Sequence, residues 1–388
     1  MIVRAGVLYD GTLDPPKRNV DIVIEGARIQ EIRAAGGDAD FSAACVTPGL
    51  VNAHAHLEGS GEPDMMQMIA TTTQNQRMLR AVENARKSLR AGVTTVRDVG
   101  SSHGISADVR DAIDAGRIPG PRTRVAGYVL CMTGGHGWPI GREIDSPAEA
   151  RKAVREQMKA GADCIKLIAT GGVMTKGAVP GNAQLTPDEL SAAITEAHRH
   201  GLRVAAHAIG TEGIKNALRA GIDSVEHGHM LDDEAIALFR ERGAYLVPTL
   251  AAPTCILEHI EGGDMPAYVV EKARYVNERM LRNIKRAYEA GVKIAGGSDS
   301  GTPFNKHEEY AYEVELMHTL LGMTPQQALH AATAVAGELV GLQRSVLAPT
   351  ENADILLLPR DAGADVRALR DVTLVIKDGK PVTAQACA

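Results

Sequence analysis

Two histidines, His54 and His56, lie in an apolar run shortly after the turn signal Thr47-Pro48-Gly49. Residues i and i+2 of a β-strand point to the same face, so a strand here would aim both imidazoles at one point. Imidazole nitrogens are among the ligands that zinc and related ions prefer. The spacing therefore indicates a metal site, although two polar residues on an exposed strand face would give the same pattern.

Further ligand-type residues stand at the ends of other short apolar runs: Lys166, His207, His227 and Asp299. In a barrel of parallel strands the C-terminal strand ends meet on one face, where catalytic groups gather. We therefore expect these residues to join His54 and His56 in one site. Taken singly, His207 and His227 fit core histidines better, and Asp299 could cap the segment that follows it.

The elements that must position these residues alternate through the middle of the chain. Eight short apolar runs are separated by amphipathic segments; one holds His54, and the others span 93–98, 123–128, 163–168, 203–207, 224–227, 244–249 and 292–299. Five of them follow a helix that should end in a glycine cap, at Gly92, Gly161, Gly201, Gly221 and Gly291. The alternation predicts an α/β fold, a (β/α)8 TIM barrel, although periodicity alone also permits an open doubly wound sheet. No Gly-x-Gly-x-x-Gly motif follows a strand, so a dinucleotide fold has no support.

The two ends of the chain differ from this middle part. Alternating runs at 20–25 and 28–32 are separated by Gly26, and the runs at 353–358 and 373–380 have the same character, with Asp378-Gly379 as a turn signal. We expect both ends to meet in one small β-sandwich domain. The predicted domains are residues 1–50 and 346–388 for the two parts of the sandwich, and residues 51–345 for the barrel.

The composition of the chain argues against some classes of binding partner. Charged residues make up 23% of the 388 residues, and the net charge is −6 without a basic run, which argues against nucleic acid or an anionic membrane surface. No apolar stretch reaches the ~18 residues of a membrane span, and the start lacks the apolar segment of a signal peptide. These features predict a cytoplasmic protein. The cysteines are odd in number and widely spaced, which disfavours a disulfide framework: Cys45, Cys131, Cys164, Cys255 and Cys387.

Several motifs together resemble the amidohydrolase superfamily, and the resemblance covers essentially the whole chain. They are Thr-Pro-Gly-Leu-Val-Asn-Ala-His-Ala-His (47 to 56), Ile165-Lys166, Val-Ala-Ala-His-Ala (204 to 208), Ser-Val-Glu-His-Gly (224 to 228), Gly-Gly-Ser-Asp-Ser-Gly (296 to 301) and Met-Thr-Pro-Gln-Gln-Ala-Leu-His-Ala-Ala-Thr (323 to 333). Thr-Gly-Gly-His-Gly (133 to 137) and Leu-Val-Pro-Thr (246 to 249) look closest to metal-dependent carboxypeptidases and Xaa-Pro dipeptidases. That group includes ochratoxin-type amide hydrolases and lies near imidazolonepropionases.

The resemblance implies a centre with two divalent metal ions. His54, His56 and Asp299 would bind one ion, and His207 and His227 the other. Lys166, N6-carboxylated by carbon dioxide, would bridge both. Zinc is the default metal for this nitrogen and oxygen set, although manganese, cobalt or iron would also fit. The alternative for Lys166 is a buried lysine that pairs with a carboxylate or reaches solvent.

The implied activity is hydrolysis of an amide bond in a small N-acyl amino acid, dipeptide or related amide. A hydroxide bridging the metal ions would attack, with Asp299 as general base and acid. A cyclic amide of the imidazolone type or a lactone is the alternative substrate. A deaminase should carry His-x-x-Glu on the fifth strand, whereas Ala208-Ile209-Gly210 follow His207 here. A non-enzymatic scaffold should have lost ligands, and all six are present.

Two residues around the third strand are predicted to contact the substrate. His136 matches the substrate histidine of the family, and its flanking glycines allow the loop a close approach. It is assigned a catalytic role in holding the substrate carbonyl or carboxylate, with a plain loop histidine as the alternative. Tyr128 is assigned to the pocket wall, with core or loop packing as its alternative.

Departures from the family pattern bear on specificity. Many relatives carry a second histidine two residues after the fifth-strand ligand, where this chain has Ile209. Together with Met132, Val173 and Met174, this favours a substrate with an apolar side chain, with packing at the barrel rim as the alternative for these residues. His229 is a further predicted substrate contact, and Glu58 is a second departure. A homo-oligomer is expected, with a small-molecule amide as the ligand.

Overall fold

The computed structural model describes residues 1–342 and 344–382. The strands found there are β1 (Ile2–Leu8), β2 (Lys17–Glu25), β3 (Arg28–Ala34), β4 (Phe41–Pro48), β5 (Leu50–Ala55), β6 (Val93–Asp98), β7 (Arg122–Val125), β8 (Val129–Cys131), β9 (Gly141–Glu143), β10 (Cys164–Ile168), β11 (Arg203–Ala208), β12 (Ser224–His227), β13 (Tyr245–Val247), β14 (Lys293–Ile294), β15 (Ile355–Leu358), β16 (Leu374–Lys377) and β17 (Lys380–Pro381).

The helices of the same residues lie mainly between these strands. They are α1 (Met65–Thr71), α2 (Gln74–Arg90), α3 (Ile105–Asp114), α4 (Pro147–Lys159), α5 (Pro187–Arg199), α6 (Thr211–Arg219), α7 (Asp233–Arg242), α8 (Ala251–Glu258), α9 (Ala267–Glu289), α10 (Tyr310–Leu321), α11 (Pro325–His330) and α12 (Ala336–Leu339). None of the described helices is both long and apolar enough to span a bilayer.

The predicted glycine caps are confirmed. The five glycines between a helix and the following strand all have positive φ, between 72° and 92°: Gly92, Gly161, Gly201, Gly221 and Gly291. This left-handed conformation is costly for residues with a Cβ, so glycine ends each helix and lets the chain turn back into a parallel strand.

The α/β fold with parallel strands is confirmed. One sheet has the order β14-β13-β12-β11-β10-β8-β9, and another has the order β5-β6-β7. The edges of the two sheets approach each other, since the Ala53 amide donates to the Gly296 carbonyl at 3.0 Å and the Asp163 amide to the Val125 carbonyl at 2.7 Å. These contacts are consistent with a barrel, but the strand pairing gives two sheets and no closed ring.

Two predicted strands differ from the observed ones. The run at 123–128 is broken, because Gly127 turns the chain with φ 70° between β7 and β8. A side chain at Gly127 would meet Gln157 Oε1 at 2.5 Å, so the turn is closely packed. The run at 292–299 forms a strand only over β14, and Asp299 follows it with a positive φ of 62°.

Both chain ends contribute to one mixed sheet with the order β17-β16-β15-β4-β1-β2-β3. Its own apolar cluster includes Val3, Ile22 and Ile355. The predicted turn is present, with Asp378 at φ 49° and Gly379 at φ 71°, as in a two-residue hairpin. The second layer of a sandwich and the three domain boundaries stay predictions. Residues 383–388, with Cys387, lie outside the described residues.

Candidate active site

Three side chains from the two ends of the predicted strand series meet at one point. His54 is on β5, His56 follows that strand, and Asp299 follows β14. The Nε2 atoms of His54 and His56 each lie 3.3 Å from Asp299 Oδ1. Asp299 Oδ1 is buried and accepts no hydrogen bond from the described residues. We call these residues the Asp299 group.

The Asp299 group suits a cation. Among the described residues it is the one set of three or more His, Cys, Asp or Glu side chains whose ligand atoms lie within 4.8 Å of one another. Burial alone would raise the pKa of the Asp299 carboxyl, but His54 and His56 hold it well below its usual range. The group therefore offers an ionised oxygen and two imidazole nitrogens to a metal ion.

A second set, which we call the Lys166 group, lies beside the first. Lys166, His207 and His227 stand on β10, β11 and β12, and the two imidazole rings are 4.5 Å apart between centroids. Lys166 Nζ lies 3.5 Å from His54 Nε2 and forms no salt bridge with the described residues. Burial lowers the pKa of Lys166 to about 8, so a much larger fraction is neutral than for a solvated lysine. A neutral amine is the form that adds carbon dioxide.

Each of the four predicted histidine ligands uses one ring nitrogen for a hydrogen bond to the protein and leaves the other for a metal. The bonds join His54 Nδ1 to Glu226 Oε2 at 2.7 Å, His56 Nδ1 to the Gly100 carbonyl at 3.0 Å, His207 Nε2 to the Gly171 carbonyl at 3.1 Å, and His227 Nδ1 to Thr249 Oγ1 at 2.7 Å. The carboxylate and the carbonyls can only accept. Thr249 also accepts from His227, because its own hydroxyl donates to the Pro248 carbonyl. This arrangement is the usual one for metal-binding histidines.

Backbone strain is concentrated at the same place. His227, Thr249 and Asp299 have φ values of 73°, 47° and 62°, which residues other than glycine rarely adopt. Such strain persists where the surrounding structure over-determines it, and it often marks functional sites. Here the three residues follow or end β12, β13 and β14, so the strained backbone lies where the candidate ligands meet.

A cavity opens onto both groups. Three of the four predicted substrate residues line it: His136, Ile209 and His229. Tyr128 is not among the lining residues; it is partly buried, and its hydroxyl lies 3.4 Å from His103 Nδ1. The remaining wall is largely apolar and includes Met65, Met66, Ile140, Val173, Met174, Pro253, Ile256 and Val276. Met132 packs against the main core instead.

His136 is held beside the Lys166 group. Its ring centroid lies 4.4 Å from that of His207, and its Nδ1 lies 2.9 Å from Thr175 Oγ1. A Cβ on Gly172 would meet His136 Nε2 at 2.4 Å, so the glycine is what allows the ring to lie here. Burial lowers the pKa of His136 to about 3, and the imidazole is neutral at pH 7.

His229 differs from the other cavity histidines. It is 3% exposed, and neither ring nitrogen has a hydrogen-bond partner among the described residues. An unpaired buried polar group is costly, and in a cavity it is available to a ligand. Ile209 lies in the same wall and is 2% exposed.

Sequence reasoning missed the residues behind the ligands. Glu226 and Arg97 form a buried ion pair at 2.9 Å, and Thr249 supports His227. A signal was present, because Arg97 and Glu226 are charged residues of opposite sign within buried strands. Glu58, in contrast, does not line the cavity; it pairs with Arg77 at 3.1 Å and accepts from Ser101 and Ser102.

Comparisons with known proteins bear on this geometry. A family model described as "Amidohydrolase family" matches residues 45–382. Ochratoxinase from Aspergillus niger is 30% identical over 426 aligned residues, covering 98% of this chain and 86% of the relative. A crystal structure of a Xaa-Pro dipeptidase with methionine bound in its active site matches with a TM-score of 0.92 and 32% identity over 99% of both chains. A prolidase in complex with N-methylphosphonate-L-proline matches with a TM-score of 0.90 and 29% identity over 99% of this chain and 100% of that one.

Proposed function

The chain belongs to the amidohydrolase family, and on that premise we propose that it hydrolyses an amide bond in a small N-acyl amino acid or dipeptide with an apolar side chain. The observation that carries this proposal is the convergence of His54, His56 and Asp299 beside Lys166. Asp299 Oδ1 is buried, faces two imidazole nitrogens and accepts no hydrogen bond from the part of the chain that the structure describes, which would be costly unless a cation joined it.

The residues present fit two divalent ions, with zinc as the default. The Asp299 group would hold one ion and the two histidines of the Lys166 group the other, with N6-carboxylated Lys166 as the shared anionic ligand. When bound, such ions lower the pKa of water toward neutrality and polarise a carbonyl group. The buried Lys166 amine, which forms no salt bridge with the described residues, supports the carbamate, because carboxylation turns a costly buried cation into an anion among imidazoles.

Asp299 moves the proton in this proposal. Its Oδ1 accepts no hydrogen bond from the described residues and lies 3.3 Å from the Nε2 atoms of His54 and His56, which line the same cavity. The carboxylate takes a proton from the attacking water and returns it to the leaving nitrogen, so a single group serves as base and then as acid. The strained backbone at Asp299 keeps this carboxylate turned toward the ligands.

Two imidazoles, of His136 and His229, and the apolar wall of the cavity are the proposed contacts of the substrate. His136 stands next to His207, where its Nε2 can donate to the reacting carbonyl, and His229 offers an unused hydrogen-bonding group. The wall that contains Val173, Met174 and Ile256 suits an apolar side chain. The Xaa-Pro dipeptidase relative, which holds methionine in its active site, supports the same substrate class.

The test is metal analysis followed by a substrate screen. Purified protein should contain close to two divalent ions per chain and should hydrolyse members of a library of N-acyl amino acids and dipeptides. Full activity without metal would overturn the proposal. Turnover restricted to imidazolones or lactones would overturn the substrate class and favour a cyclic-amide or lactone hydrolase.

A further inference from the structure

Glu226 connects the candidate metal site to the interior of the fold. It lies on β12 directly before His227, is fully buried, and its Oε2 accepts from His54 Nδ1 at 2.7 Å. When His54 is neutral, this bond places the ring proton on Nδ1 and leaves Nε2, which lies 3.3 Å from Asp299 Oδ1, without a proton. The carboxylate therefore determines which nitrogen of His54 is available to a metal ion.

Arg97 binds both the Glu226 carboxylate and the backbone next to His54. Its Nη2 donates to Glu226 Oε1 at 2.9 Å, and its Nε donates to the Ala53 carbonyl at 2.6 Å. Ala53 precedes His54 on β5, so Arg97 contacts the backbone beside the ring that Glu226 contacts. Arg97 is 2% exposed and is already fixed by these bonds. The pair thus ties three strands, β5, β6 and β12, to the orientation of one imidazole.

We propose that Glu226, held in place by Arg97, is a positioning residue that orients His54 and fixes its tautomer for metal binding through Nε2. This inference rests on the proposed metal site at His54. It differs from a purely structural ion pair, which would stabilise the fold but leave metal affinity unchanged once folding is restored. Loss of such a supporting carboxylate typically weakens metal binding by about 10–100-fold.

The first experiment compares two isosteric variants. Glu226→Gln removes the charge behind His54, and Glu58→Gln removes the charge from the other buried pair, Arg77–Glu58, whose bonds lie away from His54. Zinc affinity of each metal-depleted protein is measured by competition with a chromophoric chelator. We expect about 10–100-fold weaker binding in Glu226→Gln and parental affinity in Glu58→Gln, with a lower Tm in both.

A second variant separates positioning from stability. Glu226→Gln combined with Arg97→Met leaves no unpaired buried charge, so the fold should recover. We expect zinc binding to stay weak, because no carboxylate orients His54. Parental affinity in the double variant would overturn the inference and leave the pair a structural role alone.

The tautomer of His54 can also be measured in the protein with Arg97 and Glu226 unchanged. Nitrogen NMR of the folded, metal-depleted, histidine-labelled chain should show the His54 proton on Nδ1, with the signal assigned from its loss in His54→Ala. A proton on Nε2 would overturn the inference. Absence of zinc binding by the parent would contradict the proposed function itself, whereas a zinc-binding parent matched by Glu226→Gln would contradict the positioning role alone.

Discussion

The two halves of the candidate site are built differently. The Asp299 group contains its own carboxylate, and Oδ1 of that carboxylate lies 3.3 Å from both imidazole nitrogens of the group. The Lys166 group has two imidazoles but no carboxylate, and its amine can supply negative charge only after carboxylation. One half is thus ready to bind a cation with its own side chains, while the other depends on a chemical modification.

This difference predicts an order of assembly. Two neutral imidazoles alone bind a divalent ion weakly, whereas an added anionic oxygen strengthens the site. We expect the Asp299 group to load first and the Lys166 group to load only when carbon dioxide is available.

Metal removal should abolish hydrolysis. A chelator-treated chain should be inactive, and zinc added without bicarbonate should restore about one ion per chain, the ion of the Asp299 group. Bicarbonate should then restore the second ion and the activity. Metal content by elemental analysis and hydrolysis rates at each step check this, and two ions bound equally well without carbon dioxide would break the proposed order.

Lys166→Ala should lower kcat by about 10³-fold, the scale expected when a main electrostatic element of the site is removed. The variant should keep close to one ion, because the Asp299 group is intact. Small carboxylates with added zinc should restore part of the activity by occupying the vacated bridge. Full activity and full metal content in Lys166→Ala would exclude the carbamate.

His136→Ala should lower kcat/KM by about 10²-fold with the metal content unchanged, because its Nε2 is proposed to donate to the reacting carbonyl. The comparison with Lys166→Ala separates a substrate contact from a ligand in the same half of the site. Parental turnover of both amides and imidazolones by His136→Ala would remove His136 from the mechanism.

Thr249→Val should weaken zinc binding by the Lys166 group by about 10-fold, because it removes the acceptor of His227 Nδ1. Zinc binding by the Asp299 group should be unchanged. Thr175→Val is the matched control, since Thr175 contacts His136 rather than a predicted ligand. Stepwise zinc titration of both variants in bicarbonate gives the two affinities. Equal loss of both ions in Thr249→Val would show that the halves are not independent.

Much of the site could be predicted because the chemistry needs few residue types at recurrent places. The six predicted ligands all lie in the strands formed by the short apolar runs or follow them, and all six line the cavity. The prediction that Tyr128 lines the pocket fits the structure less well. Tyr128 lies in the turn between β7 and β8, next to Gly127 with its positive φ of 70°, and it is not among the residues that line the cavity.

The alternation of strands and helices and the ligand-type residues at the strand ends can be inferred from the amino-acid sequence, because both depend on local periodicity and residue chemistry. Which ring nitrogen each histidine presents to a metal depends instead on contacts made in the folded chain. His54 and its partner Glu226 are 172 residues apart, and His56 and the Gly100 carbonyl are 44 apart. Such pairings arise from the lateral packing of strands, and no spacing along the chain encodes them.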